Sequence, residues 1–224
     1  ARMPPPTLEE VSPDIYAYIQ LDGSWGLNNA GFIRGEDSLT LIDTCFTEAR
    51  TRAFLENIRG VSSLPMKTLV NTHHHGDHTH GNYLVRGADI IGHELCRQTV
   101  IETGLQALHP LFPGVTWGNL ELAPPFITFN DHMELHLNGL KVELIFMGPA
   151  HTTNDIVIWV PERKLLFSGD LIFNRGTPFG AMGSVSGSLQ AVKRLRELGA
   201  ETIIPGHGSV CGPEVIDGIE DYLT

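Results

Sequence analysis

Apolar residues along this chain fall into short runs separated by polar, Gly- or Pro-bearing turns. Residues 15–19, Ile-Tyr-Ala-Tyr-Ile, read as a strand, and 29–33 and 39–42 as two more, joined at Gly35-Glu36-Asp37. From 47 to 58 the period lengthens: Ala49, Ala53, Phe54 and Ile58 recur at helical spacing, with Thr47 and Glu48 suited to the start. A strand at 67–71, a short strand at 89–92 and a helix at 94–102 follow. The stretch 104–126 carries Phe112 and Trp117 with little periodicity, which predicts a lid or binding loop. Further strands are predicted at 127–129, 133–137, 142–146, 156–160 and 165–168. A helix at 188–198 aligns Leu189, Val192, Leu195 and Leu198. A strand at 202–204 and a closing helix at 213–223, opened by Pro213, complete the chain.

Strands followed by a helix, twice over, suggest two βα halves packed together. No repeat or composition break separates them, so 14–224 is expected to be one domain. Residues 1–13, rich in Pro and acidic residues, are expected to be a flexible lead-in.

An apolar fraction of 42% supports a sizeable core, and a formal charge of −11 argues against nucleic-acid or anionic-membrane partners. Three cysteines without a CxxC fit a reducing cytosol better than a disulfide framework. The first residues hold no apolar h-region and no run approaches the ~20 residues of a membrane span, so a cytoplasmic protein is expected.

Histidine changes the picture. Thr72-His73-His74-His75-Gly76-Asp77-His78 follows the apolar run 68–70. Residues two apart on an extended segment share a side, so His73 and His75 can reach one metal. Asp77 and His78 are adjacent, and a helix starting near Asp77 would aim them at a second point a few Å away. His151, Asp170 and His207 each follow an apolar strand, beside Gly or Pro. Five histidines and two carboxylates suffice for two metals sharing a water and one carboxylate.

HxHxDH at 73–78, with His151, Asp170 in a Gly-Asp-Leu context and His207 in Pro-Gly-His-Gly, resembles the metallo-β-lactamase superfamily over roughly 14–224. The resemblance implies an α+β, four-layer αβ/βα sandwich. It implies one metal held by His73, His75 and His151, a second held by Asp77, His78 and His207, and Asp170 bridging. Two zinc ions are expected, although such sites also take iron or manganese. Paired cations lower the pKa of a shared water toward ~7, and the hydroxide would attack a carbonyl. Asp77 and Asp170 are the expected catalytic carboxylates, with Asp77 orienting or accepting a proton. Asp43, after the strand at 39–42, could cap the helix near 47; its resemblance to the family's buried aspartate favours a bond to the free N–H of a ligand histidine.

The other histidines read as bland. His109, His132 and His136 are expected to be solvated or packing residues, and His74 and His80 to flank the site. His93 could open a helix or line the site. Cys211 reads as a small apolar residue.

Departures from the pattern narrow the branch. Asp170 stands where common zinc β-lactamases carry Cys, and no lysine follows closely. The chain is too short for the glutathione-binding region of glyoxalase II enzymes. His75 speaks against flavodiiron proteins. The stretches 25–31, 117–122, 148–155, 177–179, 183–185 and 212–217 resemble bacterial aromatic polyketide cyclases and thioesterases. That implies a poly-β-ketone substrate, free or carrier-bound, against rings such as Trp25, Phe112, Trp117, Phe173 and Phe179. A generic lactone, lactam or ester hydrolase and a non-catalytic metal-binding protein are the competing readings.

Overall fold

Alternation along single strands sets the layers. In β2 (Ile15–Ile19) every residue is buried. Ile15, Ala17 and Ile19 join one hydrophobic cluster, and Tyr16 and Tyr18 another. Successive side chains of a strand point to opposite faces, so β2 lies in a sheet covered on both sides.

The computed structural model describes residues 3–106, 109–177 and 182–224. Its first sheet runs in chain order: β1 (Thr7–Ser12), β2, β3 (Ala30–Arg34), β4 (Leu39–Ile42), β5 (Met66–Val70), β6 (Asp89–His93) and β7 (Ile127–Phe129). β1 to β4 pair antiparallel and β4 to β7 parallel. The parallel pairs need crossovers, supplied by α1 (Glu48–Val61), the single turn α2 (Gly76–Thr79) and α3 (Glu94–Thr103). The second sheet holds β8 (His132–Leu137), β9 (Leu140–Phe146), β10 (Ile156–Val160), β11 (Leu165–Phe173) and β12 (Thr202–His207), in spatial order 12-11-10-9-8. Here only β11 and β12 are parallel, and α4 (Val185–Leu198) connects them. α5 (Glu214–Leu223) follows.

Three clusters account for the packing. Ile33, Ile42 and Val70 of the first sheet meet Leu144, Ile158 and Ile204 of the second in a central core. Phe54 and Ile58 of α1 cover the outer face of the first sheet. Val192 and Leu195 of α4, with Ile216 and Ile219 of α5, cover the outer face of the second. The architecture is the four-layer αβ/βα sandwich of the α+β class.

The structure corrects the flexible lead-in. Residues 7–12 form β1, paired with β2, with Leu8 and Val11 packed against the clusters on either face. Pairing with a neighbouring edge supplied the order that local composition withheld. β11 runs on through Gly169 and Asp170 to Phe173, and β12 runs on to His207, both beyond their predicted ends. α4 begins at Val185, where Ser184 Oγ accepts from the Gly187 N–H. Between 104 and 126 the described residues form only a 3-10 turn at His109–Leu111. Among the described residues no helix is long and apolar enough to cross a membrane.

Candidate metal centre

The carboxyl ends of β4, β5, β11 and β12 and the turn after β9 meet at one edge of the sandwich. β5 delivers residues 73–78 through a bend into α2, β11 carries Asp170, β12 ends on His207, and the turn after β9 brings His151. All seven predicted donors are buried. They form two groups, His73, His75, His151 with Asp170, and Asp77, His78, His207 with Asp170; within each group one donor atom per residue lies within 4.8 Å of the others. Asp170 belongs to both.

The distances identify the facing atoms. His151 Nε2 is 3.1 Å from His75 Nδ1 and 3.3 Å from Asp170 Oδ2. His73 Nε2 is 3.7 Å from Asp170 Oδ2. On the other side His207 Nε2 lies 3.2 Å from Asp77 Oδ2 and 3.4 Å from Asp170 Oδ2, and His78 Nε2 lies 3.1 Å from Asp170 Oδ1.

The outward ring nitrogens are held by the fold. His78 Nδ1–H donates to Asp43 Oδ2 at 2.7 Å, which is the bonding reading of Asp43; Thr47 caps α1 instead. His73 Nδ1 pairs with Thr72 Oγ1 at 3.0 Å, and His207 Nδ1–H donates to the Ser24 carbonyl at 3.1 Å. Each bond leaves the opposite nitrogen turned toward the centre.

The donor set fits divalent cations. His73 Nε2, His78 Nε2 and Asp170 Oδ1 are buried without a well-formed hydrogen bond, a costly state for polar atoms. Charge is also unevenly shared in the metal-free chain. Burial lowers His73 and takes His75 down to about 3, reinforced by neighbouring imidazoles. Burial also opposes charge on His78 and His207, but Asp170 and Asp77 outweigh it. His78 is therefore raised, and His207 rises to about 9. Burial likewise opposes ionisation of Asp77 and Asp170; His78 and His207 prevail, and Asp77 falls to about 2 while Asp170 falls well below the carboxylate range. Ionised carboxylates beside nitrogens that can shed protons are a set prepared for cations.

A pocket opens over this centre, walled by Trp25, Phe46, Leu111, Phe112 and Phe173 and floored by His75, Asp77, Asp170 and His207. Of the predicted aromatic residues, Trp25, Phe112 and Phe173 lie in its wall, and Phe173 stacks on His207 with ring centres 4.6 Å apart. Trp117 is not part of the wall. It packs edge-on against Phe46 and stacks on His109 at 3.7 Å. Phe179 lies outside the described residues.

The remaining histidines divide cleanly. His93 caps α3, accepting from the Leu95 N–H, and stacks on Phe146 rather than lining the centre. His132 and His136 lie on β8 beside Glu143 and Glu134. Cys211 is part-buried, with its thiol near the Ile203 carbonyl at 3.6 Å and in neither donor group.

Reading the sequence missed Phe46, Ser24 and Thr72, as well as Met182, whose Sδ lies 3.2 Å from His75 Nε2, and Asn154, which bonds the backbone and ring of His74. Thr72 was detectable as a hydroxyl beside the first histidine. The others reach the centre from distant loops, with no local signal.

Fold and donor set together define a two-centre His/Asp metal site on an αβ/βα sandwich. A family model described as the metallo-beta-lactamase superfamily matches residues 23–207. The chain belongs to the metallo-beta-lactamase superfamily. It is 24% identical over 230 aligned positions to a metallo-beta-lactamase type 2 of Bacteroides fragilis, covering 97% of this chain and 85% of that protein. It is 29% identical over 169 positions to a beta-lactamase-like protein 2 homolog of Caenorhabditis elegans, covering 75% and 51%. A hydroxyacylglutathione hydrolase of Methylococcus capsulatus is 27% identical over 137 positions, covering 60% and 44%. The chain thus spans only about half of the latter two. A solved metallo-beta-lactamase from Pontibacter korlensis superposes with a TM-score of 0.82 at 20% identity, covering 98% of this chain and 99% of that one, which shows the shared fold.

Proposed function

We propose that this chain is a dinuclear zinc-dependent hydrolase of the cyclase and thioesterase kind, acting on an aromatic or poly-β-ketone carbonyl compound. The observation that carries the reading is the position of Asp170, common to both donor groups. His73, His75 and His151 would hold one cation and Asp77, His78 and His207 the other, with the Asp170 carboxylate between them. Cations bound there supply Lewis acidity and activate water for attack on a carbonyl.

The chain's own residues supply the rest. Asp43, Thr72 and Ser24 hold the imidazoles in the orientation that points them inward. Asp77, on the pocket floor, is placed to orient an incoming water or take its proton. Phe46, Phe112 and Phe173 exclude bulk water and offer ring faces to a flat substrate.

The wall supports this substrate class. Among the described residues it contains no lysine or arginine, so away from the metal centre no cationic side chain would pair with a substrate carboxylate. The resemblance of the loops at 25–31, 117–122 and 183–185 to polyketide cyclases and thioesterases supports the same reading. A turnover screen of aryl thioesters, lactones and β-lactams tests it. Hydrolysis is expected to be fastest with aryl thioesters and to disappear on chelation. Faster turnover of β-lactams or lactones than of thioesters would overturn the substrate class, and a folded chain that takes up no zinc would overturn the metal centre.

A further inference from the structure

A second cleft adjoins the aromatic pocket at His75. His75 is common to both walls. The second cleft is partly open to solvent and lies between α2, the end of α3 and the loop at 122–123. Its wall is apolar at Val100, Leu105, Leu122 and Met182, and polar at His74, Thr79, His80 and Thr103. The metal centre has no use for these two histidines, which belong to neither donor group.

Their hydrogen-bonding roles follow from their neighbours. The His74 backbone N–H donates to Asn154 Oδ1 at 3.0 Å. A backbone N–H can only donate, so the amide is oriented with Nδ2 toward the ring, and it donates to His74 Nδ1 at 2.9 Å. The neutral His74 ring therefore carries its proton on Nε2. That nitrogen is buried and has no hydrogen-bond partner among the described residues. His80 is the reverse: its Nδ1–H donates to the Phe46 carbonyl at 3.1 Å, leaving Nε2 as an acceptor. A buried donor left unpaired is costly, which favours a ligand that brings an acceptor for it and apolar surface for Val100, Leu105, Leu122 and Met182.

We propose that this cleft is a ligand subsite for a neutral aromatic ketone, in which His74 Nε2–H donates to the ketone oxygen while the apolar wall covers the ring. It deepens the proposed function, resting on it for the substrate class, and assigns His74 a specificity-determining role beside the metal centre. A substrate spanning both pockets would pass His75, with its reacting carbonyl at one end and a second keto group at the other.

Equilibrium binding tests the subsite without turnover. Zinc-loaded protein is titrated with 2-acetonaphthone and with 2-ethylnaphthalene, which lacks the oxygen. The ketone is expected to bind roughly tenfold more tightly. In His74→Phe that preference should vanish, with binding of the hydrocarbon kept. Leu122→Trp, which fills the exposed side of the cleft and leaves His74 intact, should weaken both ligands. The ¹⁵N resonance of His74 Nε2 should shift with the ketone and not with the hydrocarbon. Equal affinity for the two ligands in the wild type, or an unmoved His74 resonance at saturation, would overturn the subsite. Failure of thioester turnover would leave these readouts untouched, so the two proposals fail separately.

Discussion

His78 Nδ1 lies 2.7 Å from Asp43 Oδ2, and the same carboxylate receives the Thr72 backbone N–H at 2.8 Å and the Thr72 hydroxyl at 2.7 Å. One buried aspartate thus ties the end of β4 to the start of the histidine segment and orients the ring of a candidate ligand, His78. Asp43 has φ +58°, a left-handed conformation that Asn also tolerates.

Asp43→Asn therefore keeps the backbone and removes the charged acceptor. Zinc affinity, measured by competition with a chromophoric chelator, should fall 10- to 100-fold. Unchanged affinity would reduce Asp43 to a purely structural tie.

Asp170→Ala should lower zinc content from about two per chain to one or fewer, with far-ultraviolet circular dichroism unchanged. Retention of two tightly bound zinc ions, or of full activity, would refute the bridging role. Metal analysis after gel filtration decides it.

Gly206→Ala tests the spacing behind Asp170. A Cβ at Gly206 would run into Asp170 Oδ1 and the backbone of Gly169. φ at this position is ordinary, so the demand is for space. The variant should lose about 1–3 kcal/mol of stability and bind zinc more weakly than the wild type. Chemical denaturation of the metal-free and loaded forms separates the two effects.

The metal-free chain should be weakened by alkali. His207 is raised to about 9 from an ordinary value of 6.5, opposed by burial and driven by Asp170 and Asp77. A raised folded pKa means the stabilisation is complete below 6.5 and is lost as pH climbs through about 9. Tm should fall by about 5 °C over that window in the metal-free form. The zinc-loaded form, whose ligand imidazoles carry no such proton, should not show this step. His207→Gln should remove it, and its persistence in that variant would reassign it.

Most of the site's chemistry was legible because each donor sits beside an apolar run. Leu69-Val70 before His73, Leu166-Phe167 before Asp170 and Ile203-Ile204 before His207 mark strands by composition, and strand ends are where such side chains gather. β1 escaped notice because its order comes from pairing with β2. Phe46 and Met182 escaped because they approach from loops far along the chain. Asn154 orients His74 from 80 residues away, and no local pattern encodes that contact.

Local spacing alone marked every strand but β1, the main helices and the seven candidate donors, since side-chain direction and hydrophobic period depend only on near neighbours. Tertiary structure decided the rest: that Asp170 faces both donor groups, that Trp117 packs on Phe46 without joining the pocket wall, and that His74 Nε2 finds no partner among the described residues. Those outcomes depend on how the two sheets dock, because only docking brings β5, β11 and β12 to a common edge.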